Sequence, residues 1–317
     1  MRIAILDDYQ KLALQSADWS AVKAHGEITV FHDTITDKNA LRDRLMPFDI
    51  LCVMRERTPI SGDLIRSLPN LKLIVTSGKR NAAIDVATAH ECGITVCGTE
   101  SPSTATPELA FALMLGLARN IVGENASMRS GGWQIGLGQD LAGSTLGIIG
   151  LGRLGAQIAK IAQAFDMHIT AWSTNLTPER CQEVGVEYKP SKEALLRDAD
   201  FVTIHQRLSD RTRGLIGTEE FRQMKKTAFL INTSRGPIVD DAALIDAVNQ
   251  GEIAGAGIDV YDQEPLPAAH PLRKCDKLLL TPHLGYVTRH TWDVFYGQTV
   301  EAVLAWINGD PIRVLPS

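Results

Sequence analysis

Almost from end to end, short runs of β-branched and aliphatic residues alternate with segments whose apolar positions recur every three or four residues. The runs predict strands at 2–6, 28–31, 50–54, 71–76 and 94–97, with helices such as 38–46, 62–67 and 85–92 between them. A second series follows, with strands at 146–149, 168–172, 201–204, 228–232, 256–260 and 278–280. Its helices include 152–165, 193–197, 219–224 and 242–249. Strands separated by helices build parallel sheets, because a parallel neighbour needs a long crossover. The pattern therefore predicts an α/β protein. Six strands opening on a glycine loop match the strand count of a dinucleotide-binding sheet.

Between the two series lies Thr106-Pro107-Glu108-Leu109-Ala110-Phe111-Ala112-Leu113-Met114-Leu115. Thr106 as N-cap and Pro107 as first helical residue predict a helix start there. Apolar residues cover nearly every face through Leu117, which predicts burial between domains or between subunits. A last helix at 291–307 stops before Asn308-Gly309-Asp310-Pro311.

Composition narrows the field. The 317 residues suffice for two domains. With 32 Lys and Arg against 37 Asp and Glu, and no basic run, neither nucleic acid nor an anionic membrane surface is expected as a partner. No apolar stretch approaches the roughly 20 residues of a spanning helix. Five cysteines (Cys52, Cys92, Cys97, Cys181, Cys275) without a Cys-x-x-Cys pair predict free thiols and no structural metal. With no leader-like N-terminus, a reducing cytoplasm is the expected compartment.

Gly150-Leu151-Gly152-Arg153-Leu154-Gly155 reads Gly-x-Gly-x-x-Gly, directly after the strand at 146–149 and at the head of a helix. In that context the first glycine allows a tight turn, the second lets backbone approach a pyrophosphate, and the third lets helix and sheet close together. The helix N-terminus offers free N–H groups to the phosphates. About 20 residues on, an acid would grip the adenosine ribose. Here stand Ser173-Thr174-Asn175, with neither an acid nor an adjacent arginine; Arg180 is the nearest base. The cofactor expected is NAD or NADP, with the choice open.

Three later strand ends carry reactive side chains: Asn232-Thr233-Ser234-Arg235-Gly236, Asp259-Val260-Tyr261-Asp262-Gln263-Glu264-Pro265 and Thr281-Pro282-His283-Leu284-Gly285. Ligands of open α/β sheets bind outside the carboxyl ends of the strands, so these loops, with Thr233, Asp259 and Gly285, are expected around a nicotinamide. By position alone three histidines compete for acid–base work: His205, His270 and His283.

Taken together, these segments resemble the D-isomer-specific 2-hydroxyacid dehydrogenase family. The resemblance rests on Thr145 to Gly155, Ile231 to Gly236, Gly257 to Pro265 and Thr281 to His283, four motifs in order along the chain. It implies Arg235, Glu264 and His283 as the catalytic set, with Asp259 reaching the nicotinamide amide. Arg235 would hold the substrate carboxylate with its planar fork, His283 would exchange the proton, and Glu264 would orient the ring. The resemblance further implies two doubly wound parallel-sheet domains flanking a cleft. One is a Rossmann cofactor domain at 101–285. The other is a flavodoxin-like substrate domain made of 1–100 and 286–317. A homodimer is the implied assembly.

Two segments bear on the substrate, a small 2-oxo or 2-hydroxy acid. Ser77-Gly78-Lys79-Arg80 stands where many family members have a glycine-rich loop, so Gly78, Lys79 and Arg80 are substrate-binding candidates. Arg55-Glu56-Arg57-Thr58 is similar to a segment that phosphoglycerate dehydrogenases place near a substrate phosphate, which adds Arg57 and a phosphorylated or dicarboxylic substrate such as 3-phosphoglycerate. The rival expectations are an NAD(H)-sensing corepressor-like interaction protein of the same fold and a formate dehydrogenase-like enzyme.

Overall fold

Ile3, Ala4 and Ile5 are buried in β1 (Arg2–Ile5), as an inner strand of a helix-covered parallel sheet requires. In the computed structural model, which describes residues 1–316, β1 is joined by β2 (Glu27–Val30), β3 (Ile50–Val53), β4 (Leu73–Thr76) and β5 (Thr95–Gly98). All pair in parallel, in the order β2-β1-β3-β4-β5, which is the flavodoxin-like order. This compact unit comprises Met1–Pro102 and the segment from Val287 onward, so the long helix Arg289–Ile307 belongs to it.

The second unit, Ser103–Tyr286, holds β6 (Thr145–Ile149), β7 (His168–Trp172), β8 (Glu187–Tyr188), β9 (Phe201–Ile204), β10 (Phe229–Asn232), β11 (Gly255–Ile258) and β12 (Leu278–Leu280). The order β12-β11-β10-β9-β6-β7-β8, all parallel, is that of a Rossmann sheet with one strand added at the edge. Two apolar clusters cover its faces, one around Ile149, Val202, Leu230 and Leu244, the other around Ile148, Ile158, Phe201 and Met114. Among the described residues no single helix is long and apolar enough to cross a membrane, and no His, Cys, Asp and Glu group is arranged to hold a metal ion.

Several local expectations change. The sheet has seven strands rather than six: β8 is a two-residue edge strand whose Glu187 is exposed, too short for an alternating pattern. The linking helix spans Ala105–Ala118 with Thr104 at its N-cap, so Thr106 does not cap it. The Thr106 hydroxyl instead donates to the Gly285 carbonyl at 2.8 Å, a tertiary acceptor invisible in the sequence. That helix packs on β10, β11 and β12 of its own unit, which accounts for the burial of Ala110, Leu113 and Met114 without a second domain or subunit. The helix Ile121–Arg129 buries no residue and so left no periodic signal. Pro178–Val184 carries a helix-start signal instead, with Thr177 as N-cap and proline in its first turn.

Candidate active site

The glycine loop separates what the chain needs from what a ligand needs. Gly150 has φ +103°, and a Cβ there would lie 2.6 Å from the His205 carbonyl oxygen. A Cβ on Gly155 would lie 2.1 Å from the Gly150 carbonyl oxygen, so helix and strand meet backbone to backbone. Gly152 has no atom within 4 Å of a Cβ built on it. It opens the helix Arg153–Ala164, and no side chain caps that helix, leaving its first N–H groups for another acceptor. Arg153 is exposed and Leu154 half-buried at the same turn. At the end of β10, the buried Thr233 hydroxyl oxygen has no hydrogen-bond partner. An open glycine at an uncapped helix start and an orphaned buried hydroxyl fit a dinucleotide with its pyrophosphate on the helix. Ser173 is half-buried and Thr174 exposed at the end of β7. Arg180 turns to its own helix, with Nη1 2.9 Å from Glu183 Oε2.

Three neighbouring strand ends assemble the reactive side chains. After β10, Asn232 shapes the turn: its Nδ2 donates to the Arg235 carbonyl at 3.0 Å and its Oδ1 accepts from the Ser234 N–H at 3.0 Å. Arg235 is half-buried and its Nη1 donates to the Ser234 carbonyl at 2.7 Å. The next residue must be glycine, because a Cβ on Gly236 would stand 2.1 Å from the Tyr261 carbonyl carbon. That close approach brings the loop after β11 against Arg235.

In that loop the Tyr261 N–H donates to Glu264 Oε1 at 2.9 Å, and the Tyr261 hydroxyl donates to the Ile258 and Thr281 carbonyls. The other carboxylate oxygen, Oε2, lies 2.5 Å from His283 Nδ1. A carboxylate only accepts, so the hydrogen sits on Nδ1 and Nε2 is left for substrate. Burial pushes the Glu264 carboxyl up. The hydrogen bond and charge of His283, the Tyr261 N–H and the charge of Arg235 outweigh it, and the net result lies below the usual glutamate range.

His283 sits at φ +54°, a left-handed conformation that a bulky residue adopts only when held there. Asp259 is what holds it. Its carbonyl accepts the His283 N–H at 2.8 Å. Its carboxylate accepts from Thr281 Oγ1 (2.6 Å), the Leu284 N–H (2.6 Å) and the Gly285 N–H (2.8 Å). It is fully buried and turned into the histidine loop, where burial raises its pKa against the pull of those donors.

The rival histidines have other work. His205 Nε2 is hydrogen-bonded to Thr203 Oγ1 at 2.9 Å, and burial pushes its imidazole down to about 4, so it is neutral at pH 7. His270 Nδ1 caps the turn Pro271–Lys274 by accepting from the Leu272 N–H.

The remaining candidates lie in the first unit, at the carboxyl ends of β3 and β4. Arg57 Nη1 donates to the Asp7 carbonyl at 2.7 Å and its guanidinium lies 4.5 Å from the centre of the Tyr9 ring. Arg55 Nη2 is 3.5 Å from Glu56. The Gly78 N–H donates to Thr99 Oγ1, and Lys79 pairs with Glu100 at 2.6 Å. Arg80 is exposed and makes no ion pair among the described residues. Asn232, Tyr261 and Asp259 as loop builders were missed from sequence. Their only signal is that they sit in the same strand-end motifs as the reactive groups.

Residues 111–285 match the NAD binding domain model of the D-isomer specific 2-hydroxyacid dehydrogenases. The chain is 36% identical over 299 residues to a glyoxylate reductase of Korarchaeum cryptofilum, covering 92% of this chain and 90% of that protein. It is also 38% identical over 266 residues to a D-3-phosphoglycerate dehydrogenase of Methanocaldococcus jannaschii, of which it spans only 50%. Among solved structures, a putative D-3-phosphoglycerate dehydrogenase from Ralstonia solanacearum superposes with a TM-score of 0.92 at 32% identity, covering 99% of this chain and 96% of that one.

Proposed function

We propose, from the premise that this chain belongs to the D-isomer specific 2-hydroxyacid dehydrogenase family, that Arg235, Glu264 and His283 carry its reaction on a small 2-oxo acid. The chain is an NAD(P)-dependent oxidoreductase of the 2-oxo/2-hydroxy acid type, with a nucleotide cradle at Gly150–Gly155. The observation that carries the reading is the 2.5 Å contact between Glu264 and His283, in a loop pressed against Arg235 through Gly236.

When bound, NAD(P)H supplies the hydride that reduces C2. The chain's residues do the rest. Arg235 takes the substrate carboxylate in a two-pronged hydrogen bond and draws electron density from the adjacent carbonyl. His283 delivers the proton from Nε2 to the ketone oxygen, which becomes the alcohol, and takes it back in the reverse direction. Glu264 holds Nδ1 and so aims Nε2. Asp259 keeps the backbone of that histidine in its left-handed turn.

The substrate we favour is a small mono-carboxylic 2-oxo acid of the glyoxylate kind. Relatives named glyoxylate reductase support it, and in the first unit Lys79 is already neutralised by Glu100. A phosphorylated or dicarboxylic acid is the second reading, supported by the exposed Arg80 and by the name of the Ralstonia structure. Turnover of a panel of 2-oxo acids with NADH and NADPH, with chiral analysis of the product, tests both. No turnover of any 2-oxo acid, or an L-product, overturns the assignment.

The assembly we propose is a homodimer. Met128, Trp133, Ile135 and Leu137 are large exposed apolar residues close together in sequence, which a second copy of the chain would cover. Light scattering on the purified protein tests this.

A further inference from the structure

Cofactor choice turns on what meets the adenosine ribose. The strand end that would carry an acid carries the Ser173 and Thr174 hydroxyls, and Arg180 is engaged with Glu183. We infer that Arg207 binds the 2′-phosphate of NADP and that the chain takes NADPH in preference to NADH. The inference rests on the dehydrogenase reading above.

The sheet puts Arg207 in place. β7 and β9 are the two neighbours of β6, and Trp172 and Ile204 are both in register with Ile149. The Gly150 N–H donates to the Trp172 carbonyl at 2.9 Å, and the His205 N–H donates to the Ile149 carbonyl at 2.8 Å. The chain therefore leaves the sheet after Trp172 and after Ile204 on either side of the glycine loop. With neighbouring strands about 4.8 Å apart, these two exits are about 10 Å apart. A ribose held beside Ser173 and Thr174 is then within reach of a long side chain from the β9 exit.

The loop after β9 is built to present that side chain. Thr212 Oγ1 donates to the Arg207 carbonyl at 2.7 Å and accepts from the Ser209 N–H at 2.8 Å. Leu208 packs against the apolar cluster beneath. Backbone and next residue are anchored, while the Arg207 side chain is exposed and makes no ion pair among the described residues. Its neighbour Arg213 faces Asp262 at 3.9 Å. Arg211, in the same loop, is also exposed, and Arg153 sits in the first turn of the helix Arg153–Ala164, beside the pyrophosphate cradle. A guanidinium fork matches a phosphate monoester, and no carboxylate at the β7 end opposes the added charge.

The test is a binding titration without any 2-oxo acid, following the fluorescence of NADPH or NADH, on the parent protein and on Arg207→Ala and Arg207→Lys. The parent is expected to bind NADPH more tightly than NADH. Arg207→Ala is expected to weaken NADPH about 10- to 100-fold, the usual range for losing a hydrogen bond to a charged group. NADH should change no more than about twofold, and Arg207→Lys should fall between. Equal weakening of both cofactors would mean a contact with the shared adenosine and would overturn the inference. So would unchanged NADPH affinity, or tighter NADH binding by the parent. Thermal melts of the variants exclude misfolding. Because the readout is binding, an inactive 2-oxo acid panel would sink the dehydrogenase reading and leave this measurement intact.

Discussion

Glu264 grips His283 with one carboxylate oxygen, 2.5 Å from Nδ1, and its own loop with the other, 2.9 Å from the Tyr261 nitrogen. Both oxygens are committed, so the imidazole cannot turn without breaking a bond that also shapes the loop. Aim is built into the chain before any ligand arrives, the condition under which proton transfer is efficient.

His283→Ala is expected to lower kcat about 10²- to 10⁴-fold while cofactor affinity stays within a few-fold, since the proton donor is lost and the nucleotide cradle is untouched. Stopped-flow turnover beside a cofactor titration separates the two. A variant retaining near-normal kcat would remove His283 from the mechanism.

Glu264→Gln tests the electrostatics of the pair. With its carboxyl held below the usual glutamate range, Glu264 is charged at neutral pH and its contribution to stability is fully present there. That contribution is lost as pH falls through the folded value. The stability gap between parent and variant should therefore narrow between pH 7 and pH 3 in urea unfolding. A gap independent of pH would mean that the charge does not stabilise the loop.

Acid should weaken the second unit through His205. Its folded pKa of about 4 lies below the unfolded value of about 6.5, so between them the unfolded chain binds a proton that the folded chain refuses. Stability falls as pH drops through that window, by on the order of 3 kcal/mol at most. His205→Gln, which keeps a partner for Thr203, should flatten the fall. Parallel losses in parent and variant would point to another group.

The loop glycines should divide by function. Gly155→Ala places a Cβ 2.1 Å from a backbone oxygen and should lower Tm or abolish folding. Gly152→Ala meets nothing within 4 Å and should fold normally yet bind cofactor more weakly, because its methyl would occupy the approach to the phosphates. Equal cofactor affinity in Gly152→Ala would place the pyrophosphate elsewhere.

Arg57 decides between the two substrate readings. Arg57→Ala should raise KM for a phosphorylated or dicarboxylic 2-oxo acid and leave glyoxylate unchanged if a second anion binds there, the mark of lost uniform binding. Equal loss for both substrate types, or none, would take Arg57 out of the specificity pocket and leave it a structural brace that holds Asp7 and Tyr9.

Much of this was legible in one dimension. The rhythm of apolar runs specified parallel α/β sheets, because strand and helix periods are local properties of the chain. The spacing Gly150, Gly152, Gly155 and the strand ends at Arg235, Glu264 and His283 marked segments that meet in the fold, because a parallel sheet delivers its carboxyl-end loops to one side. What stayed hidden was contact between residues far apart in sequence. Sequence could not show that Thr106 anchors Gly285 rather than capping its own helix, because that acceptor lies 179 residues away. Nor could it turn Asp259 inward, since three donors from 281–285 converge on it only once β11 and β12 lie side by side. By position alone the three histidines stood level and the family resemblance picked His283; the burial that silences His205 and the carboxylate that orients His283 are properties of surroundings that exist only in the folded chain.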